Sequence, residues 1–328
     1  MTAFPTRRPR ELEDRPRRQD WLVDTLWGEQ AVGILGGEPK CGKTFLALDI
    51  AVAVASAAPC LRRFPVERPG PVLLYAAEDA GHVVRQRLQG IAAAADVRFD
   101  HLDIAVIDTP VLRLDRKADR AKLAATVGQA RPRILILDPL VRLHGVDENA
   151  AGEIAPILAF LRSLQRRFET AVLVVHHARK SGAARAGQAL RGSGELFAWC
   201  DSMAYLRRRR QQIFMSVEHR AAPARDDIEL DLATEGHGTF LRLKETPARQ
   251  QAEPDGDPGT RIVKLLDHAA RPLSQRQLRQ RAGLRNETVS TTLRQLCGAG
   301  TVIRSRDGYS LGRTPALFSD DMLSGRQA

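Results

Sequence analysis

From residue 21 to residue 244 the chain repeats one alternation, a short apolar run followed by a stretch whose apolar positions have helical spacing. The runs fall at residues 32–35, 72–76, 104–107, 134–137, 172–175, 202–206 and 213–217. Runs that are apolar at every position predict strands buried on both faces, and helices between them predict a mainly parallel sheet covered on both sides. The predicted class is therefore α/β. Three late runs, 213–217, 227–232 and 239–243, have no helix between them and predict antiparallel strands added at one edge. The run at 45–58 carries Asp49 and is shorter than a membrane span requires, so it predicts a buried helix and no membrane partner.

Two stretches fall outside this alternation. Residues 1–20 hold six Arg against four acids with no apolar period, and predict a flexible arm without the apolar stretch of an export signal. Residues 247–258 hold three prolines and no large apolar side chain, and predict a linker between a domain at 21–246 and a second at 259–312, with a tail at 313–328. In the second domain the pattern predicts a helix over 260–268, another from Ser274 to Ala282, a turn at Gly283, a helix over 287–298 and a hairpin around Asp307 and Gly308. That order is a winged helix-turn-helix.

A length of 328 residues suits one large core and one smaller module. The net charge of +11 points to a polyanion partner or to a solvated surface. Residues 258–312 carry ten Lys/Arg against three Asp/Glu, so most of the excess belongs to the C-terminal module. Cys41, Cys60, Cys200 and Cys297 fit no metal spacing and read as reduced thiols of a cytoplasmic protein, with Cys41 a filler position.

The candidate chemistry begins where the first predicted strand ends. Gly37, Glu38, Pro39, Lys40, Cys41, Gly42, Lys43 and Thr44 form a Gly-x4-Gly-Lys-Thr loop, and Phe45 opens the following helix. In that context the loop cradles phosphate with its backbone amides, Lys43 reaches the β- and γ-phosphates of ATP, and Thr44 holds Mg²⁺. Asp138 closes the run 134–137 and is the second metal residue; an Asp that merely caps the next turn is the alternative. Glu78, at the end of 72–76, is the candidate base for water, with Asp79 beside it. His176 and His177 end the run 172–175, where a group sensing the γ-phosphate would lie, and either a structural or a functional role suits such a pair. In a parallel sheet these strand ends emerge at one edge.

With these residues in place the chain resembles the RecA-like ATPases of the DnaB and RepA replicative helicase group, and within it the RepA-like AAA-family proteins of plasmids and mobile elements. The resemblance covers residues 21–243 and includes the Trp21, Leu22, Val23, Asp24 lead-in and the Leu-Arg-x-Ser-Gly pattern at 190–194. It implies that Glu78 is the catalytic glutamate and that His177 is the phosphate sensor. It also implies that Arg220 is an arginine finger acting on a neighbouring subunit, with Glu218 standing where relatives carry Lys. A surface salt bridge is the other reading of Arg220. Active sites between subunits imply a ring, a homo-hexamer in the group, whose channel would pass single-stranded DNA. Residues 142–153 and 178–188, the latter with Arg179 and Lys180, could line it, or could be solvated loops. The run Arg207 to Arg210 reads as a turn between strands.

In the C-terminal module Val289, Leu293 and Leu296 share an inward face, which leaves Arg285, Thr288, Ser290, Thr291 and Arg294 to meet duplex DNA, with Arg304 and Arg306 flanking the wing. Winged helices also serve as protein contacts. The expected protein is an ATP- and Mg²⁺-dependent ring ATPase, a replicative helicase of a plasmid or mobile element. The alternatives are a nucleotide-switched DNA-binding regulator and a filament-forming recombination ATPase.

Overall fold

The computed structural model describes residues 4–11, 21–148, 150–177, 194–210, 212–236, 238–244, 258–269, 271–282, 286–305 and 307–312. The predicted arm beyond residue 11, the linker up to 257, the tail, and the segment 178–188 with Arg179 and Lys180 lie outside the described residues, as do Arg285 and Arg306. The chain divides into two compact units, Met1–Glu245 and Thr246–Ala328.

In the first unit a small hairpin, β1 (Trp21–Val23) and β2 (Trp27–Gly28), precedes β3 (Val32–Gly37) and α1 (Lys43–Ser56). There follow β4 (Val72–Ala76), α2 (Gly81–Ala94), β5 (Ile104–Val106), α3 (Lys117–Ala130), β6 (Ile134–Asp138), α4 (Ala151–Phe168) and β7 (Ala171–His177). The unit closes with α5 (Gly194–Trp199), β8 (Ser202–Arg209), β9 (Gln212–His219), β10 (Arg225–Glu235) and β11 (Gly238–Leu243). One nine-stranded sheet runs β11-β10-β9-β8-β3-β7-β6-β4-β5. The six strands from β8 to β5 are parallel, and β9, β10 and β11 extend it antiparallel. The expected α/β architecture is therefore present, with its antiparallel edge.

Each face of the sheet carries its own core. Alternate strand residues such as Leu35, Leu74, Ile136 and Val175 face α1 and α2, while Ile34, Leu73, Leu135 and Val174 face the opposite way, toward α3 and α4. The antiparallel strands curl so that β11 meets α2, and Gly90 and Gly238 pass so closely that a Cβ on Gly90 would lie 2.7 Å from the Gly238 Cα.

A buried polar clasp ties the same strand to α1. Asp49 is 2% exposed in an otherwise apolar helix, and its carboxylate accepts from the Leu61 N–H at 2.6 Å and from Arg62 at 2.9 Å. Arg62 in turn donates to the Leu241 carbonyl and lies 5.1 Å over the Phe240 ring.

Two expectations are corrected. The arginine run is not a turn for most of its length, because β8 continues through Arg209, which pairs with Gln212. Cross-strand partners hold it there: Arg207 pairs with Asp227, and Arg209 lies 5.5 Å over the Phe214 ring. Residues 142–153 are not an open loop either, since α4 begins at Ala151 and Leu143 and His144 are buried.

The second unit contains α6 (Pro258–Asp267), α7 (Gln275–Ala282), α8 (Asn286–Gly298) and an antiparallel hairpin of β12 (Val302–Ser305) and β13 (Gly308–Leu311). Its core gathers Ile262, Leu266, Leu273, Leu278, Val289, Leu293 and Val302. Pro258, expected in the linker, is helical, as its fixed φ allows at a first helical position. Ser274 and Gln277 form a capping box, Ser274 Oγ accepting from the Gln277 N–H at 3.3 Å and Gln277 Oε1 from the Ser274 N–H at 2.8 Å. Among the described residues no helix is long and apolar enough to cross a membrane.

Asp49→Ala leaves the Leu61 amide and the Arg62 guanidinium without their acceptor. A loss of about 2–4 kcal/mol is expected, read as a lower midpoint in urea unfolding of the full chain.

Candidate functional site

Four parallel strand ends set the site. Gly37 pairs in register with His177 across β3 and β7, and Ala76 with Asp138 across β4 and β6, while β7 lies beside β6. The Ala77 N–H donates to the Asp138 carbonyl at 2.7 Å, which holds the turn carrying Glu78 next to Asp138. The predicted residues Lys43, Thr44, Glu78, Asp138 and His177 are thus brought to one edge of the sheet.

The loop between β3 and α1 is shaped by Gly37 and Gly42. Gly37 has φ +152°, and a Cβ there would lie 2.2 Å from the Leu206 carbonyl oxygen; Gly42 has φ +91° at the start of α1. Glu38 is half-buried, Pro39 and Lys40 are exposed, Cys41 is buried, and Thr44 and Phe45 are half-buried at the head of the helix. Lys43 is 4% exposed. Its ammonium donates to the Gly37 carbonyl at 3.0 Å and the Glu38 carbonyl at 2.7 Å, with Cys41 Sγ at 4.0 Å. Burial lowers the Lys43 pKa, against the pull of Cys41, Asp138 and Glu78. The ammonium is fastened to carbonyl dipoles that a bound phosphate can replace.

Asp138 is 7% exposed, and burial pushes its carboxyl up to about 6 even though Thr44 hydrogen-bonds to it. A buried carboxylate with a hydroxyl beside it is the donor set that fits a hard divalent cation sharing its remaining positions with water and phosphate oxygens. Among the described residues no group of three protein ligands could hold a metal ion by itself. Such a cage is not needed for magnesium, which keeps several waters.

Glu78 is half-exposed, and its Oε1 accepts from Arg142 Nε at 2.8 Å; Asp79 pairs instead with Arg87, whose guanidinium lies 5.2 Å over the Phe45 ring. The adjacent histidines separate. His177 is at the exposed end of β7, while His176 is buried with Nδ1 3.9 Å from Glu148 Oε2. Glu148 Oε1 lies 3.3 Å from His144 Nε2. Burial lowers the pKa of both His176 and His177. It also raises that of Glu148, but His144 and His176 outweigh it and hold the carboxyl below its usual range. Arg142, His144 and Glu148 were not singled out from the sequence. The only signal was a cluster of polar residues behind the Asp138 strand, which also suits a solvated loop.

Arg220 stands apart from these groups. Ser202 of β8 pairs with His219 and Gly33, whereas Leu206 pairs with Gly37, so Arg220 leaves the sheet at the edge opposite the phosphate loop, about 13 Å away along the strand. There its guanidinium donates to the Ala198 carbonyl at 2.7 Å and lies 3.3 Å from Asp201, which also pairs with Arg162. In the second unit Thr291, Arg294 and Arg304 are exposed and Thr288 is half-buried, while Val289, Thr292 and Leu293 face the core.

The profile of the AAA domain family matches residues 2–183. Among solved structures, an ATPase domain superposes with TM-score 0.51 at 17% identity, over 66% of this chain and 86% of that one. A DnaB-like replicative helicase, solved for its interactions with primase, superposes with TM-score 0.50 at 16% identity, over 65% of this chain and 57% of that one. At these identities the likeness is one of fold, and the fold is RecA-like.

The raised pKa of Asp138 has a consequence for stability. A carboxyl near 3.8 when unfolded and about 6 when folded supports the fold fully below pH 4, and that support is lost as pH rises through 6. Asp138→Asn removes the titration. In the absence of nucleotide the variant gains on the wild type between pH 4 and pH 6, by about 3 kcal/mol at the plateau above, as read from urea unfolding midpoints across pH. Parallel pH profiles for the two proteins would contradict the assignment.

Proposed function

The chain belongs to the AAA domain family, and from that premise we propose that it hydrolyses ATP with magnesium and couples hydrolysis to DNA. The observation that carries this reading is the gathering of Lys43, Thr44, Asp138 and Glu78 at one edge of a parallel sheet, at the head of a helix. Lys43 exchanges its two carbonyl acceptors for β- and γ-phosphate oxygens. Thr44 and Asp138 hold magnesium, which offsets phosphate charge when bound. Glu78 takes a proton from a water that attacks the γ-phosphorus, the bond to the bridging oxygen breaks, and ADP leaves. His177, neutral and exposed at the end of β7, senses the γ-phosphate.

Arg220 completes the site of a neighbouring copy. Its place at the edge away from its own phosphate loop supports a head-to-tail assembly, and a hexameric ring is the form proposed. The second unit is read as a winged helix-turn-helix that binds duplex DNA through Thr288, Thr291, Arg294 and Arg304. Arg285 belongs to the same proposed surface, and Arg179 and Lys180 to the single-strand channel. The whole is proposed to be a cytoplasmic RepA-type replicative helicase of a plasmid or mobile element. A second reading, a nucleotide-switched DNA-binding regulator, is favoured by Glu218 in place of a cation beside Arg220.

ATP turnover without DNA, with single strands and with duplex separates the two. A helicase is expected to be stimulated several-fold by single strands, and a slow rate that no DNA changes belongs to the regulator. Lys43→Ala is expected to fall to background in every condition, and undiminished turnover in that variant overturns the ATPase assignment.

A further inference from the structure

Arg142 projects from a turn that is anchored on both sides. Leu140 and Leu143 are fully buried, the Leu114 N–H donates to the Leu143 carbonyl at 2.5 Å, and the Gly145 N–H donates to Asp115 at 3.2 Å. Beyond it His144, 2% exposed in its side chain, and Glu148 close on His176 at the end of β7. The backbone that carries Arg142 is therefore fixed to the same strand ends that carry Asp138 and His177. The side chain itself is 61% exposed, and its contact with Glu78 at 2.8 Å is a solvent-screened ion pair. Glu78 has no other ion-pair or hydrogen-bond partner among the described residues.

We propose that Arg142 is a phosphate-responsive latch on Glu78. With no phosphate near, the guanidinium occupies the carboxylate oxygen that would accept a proton from water. A phosphate group competes for the guanidinium with two oxygens and a larger charge, and its arrival frees Glu78. An exposed pair is weak enough for this exchange. The phosphate comes either from the terminal group of the nucleotide or from a nucleic-acid backbone, and the two sources leave different signatures. Arg142 is a positioning residue, since it acts through Glu78, and the proposal rests on the reading of Glu78 as the base.

The experiment uses the full chain with Arg142→Ala, Arg142→Lys and Glu78→Gln, and reads steady-state ATP turnover with and without single-stranded DNA together with calorimetric binding of ATP and of ADP. If nucleic acid opens the latch, Arg142→Ala turns over about two- to fivefold faster than wild type without DNA, gains nothing further when DNA is added, and keeps its nucleotide affinities. If the nucleotide opens it, Arg142→Ala loses about tenfold in affinity for ATP but not for ADP, and Arg142→Lys recovers part of that loss. An Arg142→Ala protein within twofold of wild type in kcat, KM, DNA stimulation and both affinities overturns the latch. Undiminished turnover by Glu78→Gln instead removes Glu78 as the base and leaves no base for Arg142 to latch. A wild type without turnover sinks the proposed hydrolysis alone. The latch is then judged by binding, and unchanged ATP, ADP and single-strand affinities in Arg142→Ala overturn it.

Discussion

The in-register parallel pairing of β3, β7, β6 and β4 is the constraint on which the rest of the first unit depends. Parallel strands end together, so residues separated by a hundred positions in the chain arrive at a common edge without any loop having to bring them there. The pairing also dictates the composition of the strands. Each is covered on both faces, which is why they are apolar at nearly every position and why polar groups appear only where they end. Gly37, Asp138 and His177 are the last residues of their strands, and Glu78 lies just past the end of its own.

Much of this was legible from residue pattern alone because the signals are local. A Gly-x4-Gly-Lys-Thr loop between a strand and a helix, or an Asp closing a run of Ile and Leu, can be read without knowing the tertiary contacts. The unread parts depend on contacts across the fold. Arg207 to Arg209 look like a turn because a run of charges between two apolar strands suits one; the pairing of β8 with β9, with Asp227 and Phe214 as side-chain partners, makes them strand. Residues 142–148 look like a solvated loop because their hydrophobic content is low, and their anchoring comes from Asp115, Leu114 and His176, none of them a local neighbour. The β1–β2 hairpin escaped for a further reason: its strands are three and two residues long, too short for a period to show.

The site is also where the fold is least comfortable. A buried ammonium held by two backbone carbonyls and the Cys41 sulfur, a carboxyl raised by desolvation and buried imidazole nitrogens of His144 and His176 without hydrogen-bond partners all cost stability that apolar groups would not. The apolar cores on both faces of the surrounding sheet supply the stability that offsets them.

The close passage of Gly90 and Gly238 leaves no room for a side chain between α2 and β11. No side chain cushions the two backbones, so there is no rotamer change by which one could shift while the other stays. α2 begins three residues after Glu78 and at Gly90 passes against β11, the strand at the far end of the sheet order. The helix that follows the Glu78 turn and the strand at the opposite margin of the sheet therefore share one steric constraint. The antiparallel addition is thereby tied to the helix that follows the Glu78 turn, and a residue larger than glycine at either position would strain both at once.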